Sequence, residues 1–114
     1  MKPFPRRLFS RLLQATAVFT MVLPVVASAD TGVVGKISLL QNYETHAGFL
    51  VRLDVAMPDP DGCGRTDWYI LPDTATRALL SQSMLLTARS TGAQISLVIG
   101  GCYQGIPRIL HITL

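Results

Sequence analysis

Apolar and polar residues alternate most cleanly between Phe49 and Val55. Phe49, Val51, Leu53 and Val55 fall on one face, and Arg52 and Asp54 on the other. A period of two predicts a half-buried strand. The same reading predicts a first strand over Val33 to Gln41, with Val33, Ile37 and Leu39 on one side and Lys36 and Ser38 on the other. Gly35 stands in it as a bulge or a point of close approach. The polar stretch Asn42 to Ala47 joins the two strands. Met57 to Thr66 holds two prolines, two glycines and two aspartates, a composition that forbids regular structure and predicts a loop. Asp67 to Leu71 follows as a short third strand ended by Pro72, with Trp68 and Ile70 on one face and Tyr69 and Leu71 on the other. Ala93 to Ile99, with Ile95, Leu97 and Ile99 against Gln94 and Ser96, and Ile106 to Leu114, with Leu110, Ile112 and Leu114 against His111 and Thr113, supply the fourth and fifth strands.

Thr74 to Arg89 contains neither Gly nor Pro and predicts a helix between the third and fourth strands. Asp73 is positioned to cap its first N–H groups, and Gly92 suits the left-handed turn that ends helices. The helix is apolar on more than one side. Ala75, Leu79 and Leu86 share one arc with Ala78 and Leu85 beside it, while Leu80, Met84 and Ala88 cluster roughly opposite. A helix lying on one sheet needs a single apolar face, so it is either sunk in the fold or meets another chain. The order β-β-β-α-β-β is that of the OB-fold, a five-stranded barrel with its helix between strands three and four. An open five-stranded sheet carrying one helix satisfies the same order.

The first 29 residues stand apart from this pattern. Lys2, Arg6, Arg7 and Arg11 precede an apolar run from Ala15 to Val26 and then Ala27-Ser28-Ala29. That sequence predicts a cleaved secretory signal peptide over 1–29 and a single OB-fold-like domain over 30–114, secreted or periplasmic, with no membrane span after processing. Removing the four leader cations takes the net charge from +3 to −1, and the six remaining basic residues are scattered among acids. Nucleic acid is therefore not an expected partner. The two cysteines, Cys63 and Cys102, enter an oxidising compartment, so a disulfide between them is expected. Closing that loop stabilises a small domain by ~4 kcal/mol in the chain-entropy account. In the barrel topology the two cysteine loops leave the same end, which suits a bridge.

Candidate chemistry is sparse. Asp59, Asp61, Asp67 and Asp73 offer oxygen ligands for calcium, but their spacing is not that of an EF-hand loop, and Pro-Asp-Pro-Asp-Gly reads as turn composition. His46 and His111 lack the short spacing of a metal pair, and no serine sits on a strained nucleophile turn. The reading is of a non-enzymatic binding module without a cofactor. Its expected binding residues are Arg65, Asp67, Trp68, Tyr69, Tyr103 and Gln104, aromatics flanked by hydrogen-bonding groups on loops drawn together by the disulfide. Core packing competes for Trp68.

The passage Leu85-Leu86-Thr87-Ala88-Arg89-Ser90-Thr91-Gly92-Ala93-Gln94-Ile95-Ser96-Leu97 resembles the helix-to-strand passage in B subunits of the subtilase cytotoxin and typhoid toxin group. Gly35-Lys36-Ile37, Phe49-Leu50-Val51 and Trp68 fall in a compatible order. The resemblance implies an OB-fold, five-membered rings with helices lining a central pore, cell-surface glycan binding and a toxic partner subunit. Val34 stands where sugar-contacting members carry Ser, and Leu86 where they carry an aromatic, so their sugar-site residues are not carried over. A homo-oligomer, as a pentamer, through Thr74 to Arg89 and a glycan or secreted protein partner are the implied associations. The alternative is a structural or inhibitory envelope protein with no small-molecule ligand.

Overall fold

The computed structural model describes residues 16–20 and 30–114; the predicted leader over 1–29 otherwise lies outside the described residues. The elements are β1 (Thr31–Asn42), β2 (Gly48–Leu53), β3 (Tyr69–Pro72), α1 (Ala78–Thr91), β4 (Gln94–Tyr103) and β5 (Ile106–Thr113), in the predicted order. The strands hydrogen-bond in the closed order β1-β2-β3-β5-β4, with β4 returning to β1. All pairs are antiparallel except β3 with β5, which are parallel and meet at Ile70 and Arg108. β1 reaches round this closure because its first half pairs with β4 and its second half with β2.

The interior holds Val33, Ile37, Val51, Leu53, Tyr69, Leu71, Ile95, Leu97, Ile99 and Ile109, closed on one side by Leu85 and Ala88 of α1. The alternation therefore assigns most inward faces. It misassigns Leu39 and Val55, and at the last strand Leu110 and Leu114, which are exposed; a register shift in the β4–β5 pairing sets Ile109 opposite Ile99 and turns Ile109 inward instead of Leu110. An extra residue at Ser38 breaks the β1–β2 register between Ile37 and Leu39, which turns Leu39 to solvent and sets Leu40 against the core. Val55 is exposed because β2 ends at Leu53: the Asp54 N–H donates to the Lys36 carbonyl at 2.9 Å, and its carboxylate accepts from the Lys36 N–H at 2.8 Å. Gly35 is the point of close approach, since a Cβ there would lie 2.8 Å from a Val55 methyl. Gly48 is tighter still, its missing Cβ being directed at the Leu71 carbonyl oxygen.

The helix begins at Ala78, not Thr74, and Asp73 does not cap it. The Asp73 N–H donates to the Ala47 carbonyl at 2.9 Å, extending the β2–β3 ladder, and two tight turns then carry the chain from Pro72 to Ala78. The residue before the helix is Arg77, left-handed at φ 60° with no side-chain cap. Gly92 does end the helix in the left-handed region at φ 65°, and the Gly92 and Ala93 N–H groups both donate to the Ala88 carbonyl. Leu85 and Ala88 face the core, whereas Leu79, Leu80 and Leu86 are 80%, 55% and 51% exposed. No helix among the described residues is long and apolar enough to cross a membrane.

Candidate functional site

Leu50 of β2 and Ile70 of β3 are apolar residues on the outward face of the sheet, and they sit opposite each other in the register. Water is kept from them by a small outer cluster in which Ile106 and Trp68 complete the packing and Tyr103 lies against the edge. Trp68 retains only 8% of its exposure. The Arg52 guanidinium stands 4.4 Å from the Trp68 ring centroid, a cation–π contact, while its Nε donates to the Asp67 carbonyl at 3.1 Å. Arg65 grips the Asp67 carboxylate through Nε and Nη2 at 3.0 and 3.1 Å, and Arg52 Nη2 lies 4.0 Å from it. The Arg65 fork holds the Asp67 carboxyl below the usual carboxylate range, against a lesser opposing effect of burial, and the charge of Arg52 adds to it.

Beside this cluster a surface cavity of about 350 Å³ is lined by Gln41, Tyr43, His46, Leu50, Arg65 and Trp68. The β1–β2 loop supplies its far wall. The His46 N–H donates to the Tyr43 carbonyl at 3.0 Å, and the two rings meet edge-on with centroids 6.1 Å apart. The Thr45 hydroxyl and His46 Nδ1 are 3.2 Å apart. An exposed phenol, an imidazole, a carboxamide and a guanidinium thus surround the indole of Trp68. Such a surface offers an apolar face with hydrogen-bonding groups at its rim, which suits a sugar ring or a polar peptide segment.

The six residues expected to bind do not form one site. Arg65 and Trp68 line this cavity, and Asp67 serves it by holding Arg65. Tyr69 is fully buried in the interior, where its hydroxyl donates to the Pro58 carbonyl at 2.8 Å, so it is not available to a ligand. The cause is strand parity: Trp68, just before β3, and Tyr69, the first residue of the strand, point to opposite sides, and Trp68 takes the outer one. Tyr103 lines a second cavity of about 350 Å³, between the turn after β3 and β5, together with Thr74, Ser81, Arg108 and His111. Gln104 is exposed, and its side-chain oxygen accepts from the Ala47 N–H at 2.7 Å. Gln41, Tyr43, His46 and Leu50 complete the lining of the first cavity and are not among the six expected residues. Tyr43 and His46 in a polar turn were the available signal for this wall.

Cys63 and Cys102 are joined, with their Cα atoms 5.7 Å apart, so the long loop after β2 is bound to the end of β4. Of the acids of that loop, Asp59 builds a local turn and Asp61 ties the loop to β4. Asp59 accepts from the Cys63 and Gly64 N–H groups, each at 2.8 Å, and Asp61 accepts from the Gly101 N–H at 2.6 Å. No group of three or more His, Cys, Asp or Glu among the described residues is arranged to hold a metal. No protein-family model, curated protein or solved structure matches this chain.

Proposed function

We propose that residues 30–114 are an exported OB-fold binding module that recognises a glycan through the cavity between the β1–β2 loop and β3. The observation that carries this reading is the convergence of Tyr43, His46, Gln41 and Arg65 around Trp68 on the outer face of the sheet. OB-folds bind oligosaccharides and oligonucleotides on the face of strands two and three, between the loops joining strands one to two and four to five. The closed strand order with α1 between β3 and β4 fits that fold. Both arginines near the cavity are drawn to Asp67, and residues 30–114 carry a net −1, which supports a sugar over a nucleic acid strand.

The resemblance to B subunits of the subtilase cytotoxin and typhoid toxin group enters here as part of the proposal, with assembly of several copies through α1. The three exposed leucines of that helix support association. They equally support the second reading, an envelope protein that acts by covering this face with another protein and has no small-molecule ligand.

The test is a glycan array probed with the exported protein after its N-terminus has been read by mass spectrometry. Binding to a defined set of glycans is expected, lost in Tyr43→Ala and Arg65→Ala and kept in the variant of the second cavity, His111→Ala. A blank array with well-folded wild-type protein would remove the glycan reading, and an N-terminus other than Asp30 would remove the leader assignment.

A further inference from the structure

The turn joining β4 to β5 carries an odd residue. Gln104 and Gly105 both lie in the left-handed region, at φ 51° and 74°. Two-residue hairpin turns of this hand favour Asn, Asp or Gly at the first position, because a short side chain or none tolerates the conformation. Gln104 is one of only two non-glycine residues at positive φ among the described residues. A strained position is retained when something else in the structure requires its side chain.

That requirement is visible. The Gln104 side-chain oxygen accepts from the Ala47 N–H at 2.7 Å, a contact that spans 57 positions of sequence. The Ala47 carbonyl meanwhile accepts from the Asp73 N–H at 2.9 Å. Ala47 is thus fastened on one side by the β4–β5 turn and on the other by the end of β3. It closes the loop that bears Tyr43 and His46, two of the six residues around the cavity. Asn would suit the turn, but its amide is one methylene shorter and falls short of a 2.7 Å bond made by the longer side chain. Glutamine combines the needed reach with an acceptor oxygen.

We infer that Gln104 is a positioning residue: it holds the β1–β2 loop, and with it the Tyr43 and His46 rings, in the arrangement that forms the cavity, without touching a ligand itself. This rests on the reading of that cavity as the binding site. The test compares Gln104→Asn, Gln104→Gly and Gln104→Glu in the exported protein by amide hydrogen exchange and thermal melting. Asn and Gly relieve the turn and remove the tether, so amides of 43–47 should exchange ~10-fold faster while the melting temperature holds or rises. Glu keeps the acceptor and should keep the protection.

Unchanged exchange at 43–47 in the Asn and Gly variants would overturn the inference. So would faster exchange spread over the whole chain in step with a lower melting temperature. With a glycan identified on the wild-type array, both loosened variants should bind it more weakly and the Glu variant should not; full affinity with a freed loop also overturns the positioning role. A blank wild-type array defeats the glycan reading, while the exchange data still decide whether Gln104 holds the loop.

Discussion

The exposed side of α1 allows a quantitative test of assembly. Leu79, Leu80 and Leu86 are 80%, 55% and 51% exposed, and the helix carries one charged residue, Arg89. Four of its five hydroxyls are already satisfied within the helix: Ser83, Thr87, Ser90 and Thr91 each donate to the carbonyl four residues earlier, at 2.8–3.0 Å, so covering them strands no donor. Full burial of a leucine is worth about 1.5–3 kcal/mol, so covering the exposed fractions of Leu79 and Leu86 contributes about 2–4 kcal/mol per protomer before association entropy is subtracted. Replacing both by Gln keeps helix propensity nearly constant and should change protomer stability by no more than about 0.5 kcal/mol. Assembly should weaken by roughly one to three orders of magnitude. Sedimentation equilibrium of the protein measures the second quantity and urea unfolding the first, with Leu85→Ala as the core control, expected to cost about 2–5 kcal/mol because Leu85 is fully buried. A wild type that stays monomeric at high concentration, or a double variant that assembles as tightly as wild type, would refute the reasoning.

The remaining predictions concern the covalent and polar framework. Replacing Cys63 and Cys102 together by Ser releases a 39-residue separation and should cost ~4 kcal/mol, a large part of a small domain's stability; a thermal melt displaced by only a few degrees would contradict this. Burial of the Tyr69 phenol, with the negative charge of Asp59 second, pushes its pKa up from 10.0 to about 12. The fold favours the neutral form, so this stabilisation is complete below the unfolded value and is lost as pH climbs from about 10 through 12. Tyr69→Phe should flatten that alkaline limb in urea unfolding and cost about 1 kcal/mol at neutral pH through the bond to Pro58; an unaltered limb would assign it to other groups.

How far the fold was legible follows from which interactions set each feature. Side-chain period alone fixes the faces of Val51, Leu53, Tyr69, Leu71, Leu97 and Ile99, and all six are buried as alternation requires. Where a distant partner decides, local pattern fails. The bulge at Ser38 depends on how β2 pairs, and the late start of α1 depends on Asp73 extending the ladder to Ala47 rather than capping. Arg77 at the helix entrance gives no sequence sign of its left-handed backbone.

The cavity obeys the same logic. Arg65 and Trp68 were legible because the chain sets a cation and a large aromatic close together, but Tyr43 and His46 reach them only through the folding of the β1–β2 loop onto β3. A usable signal did exist in the strands themselves. A half-solvated strand should carry polar residues on its outer face, yet Leu50 and Ile70 are apolar there, directly paired and 4% and 0% exposed. Apolar residues on both faces of adjacent strands require a cover on each side. Inside, that cover is the inward residues of the other strands, closed on one side by Leu85 and Ala88 of the helix; outside, it is Trp68 with Tyr103 against the edge, and the rim of this outer cover is where the polar groups of the cavity gather. The broken alternation at Leu50 and Ile70 therefore accounts for the cavity's location, because an apolar patch on the outer face of the sheet is covered by the Trp68 indole and leaves hydrogen-bonding side chains at its rim.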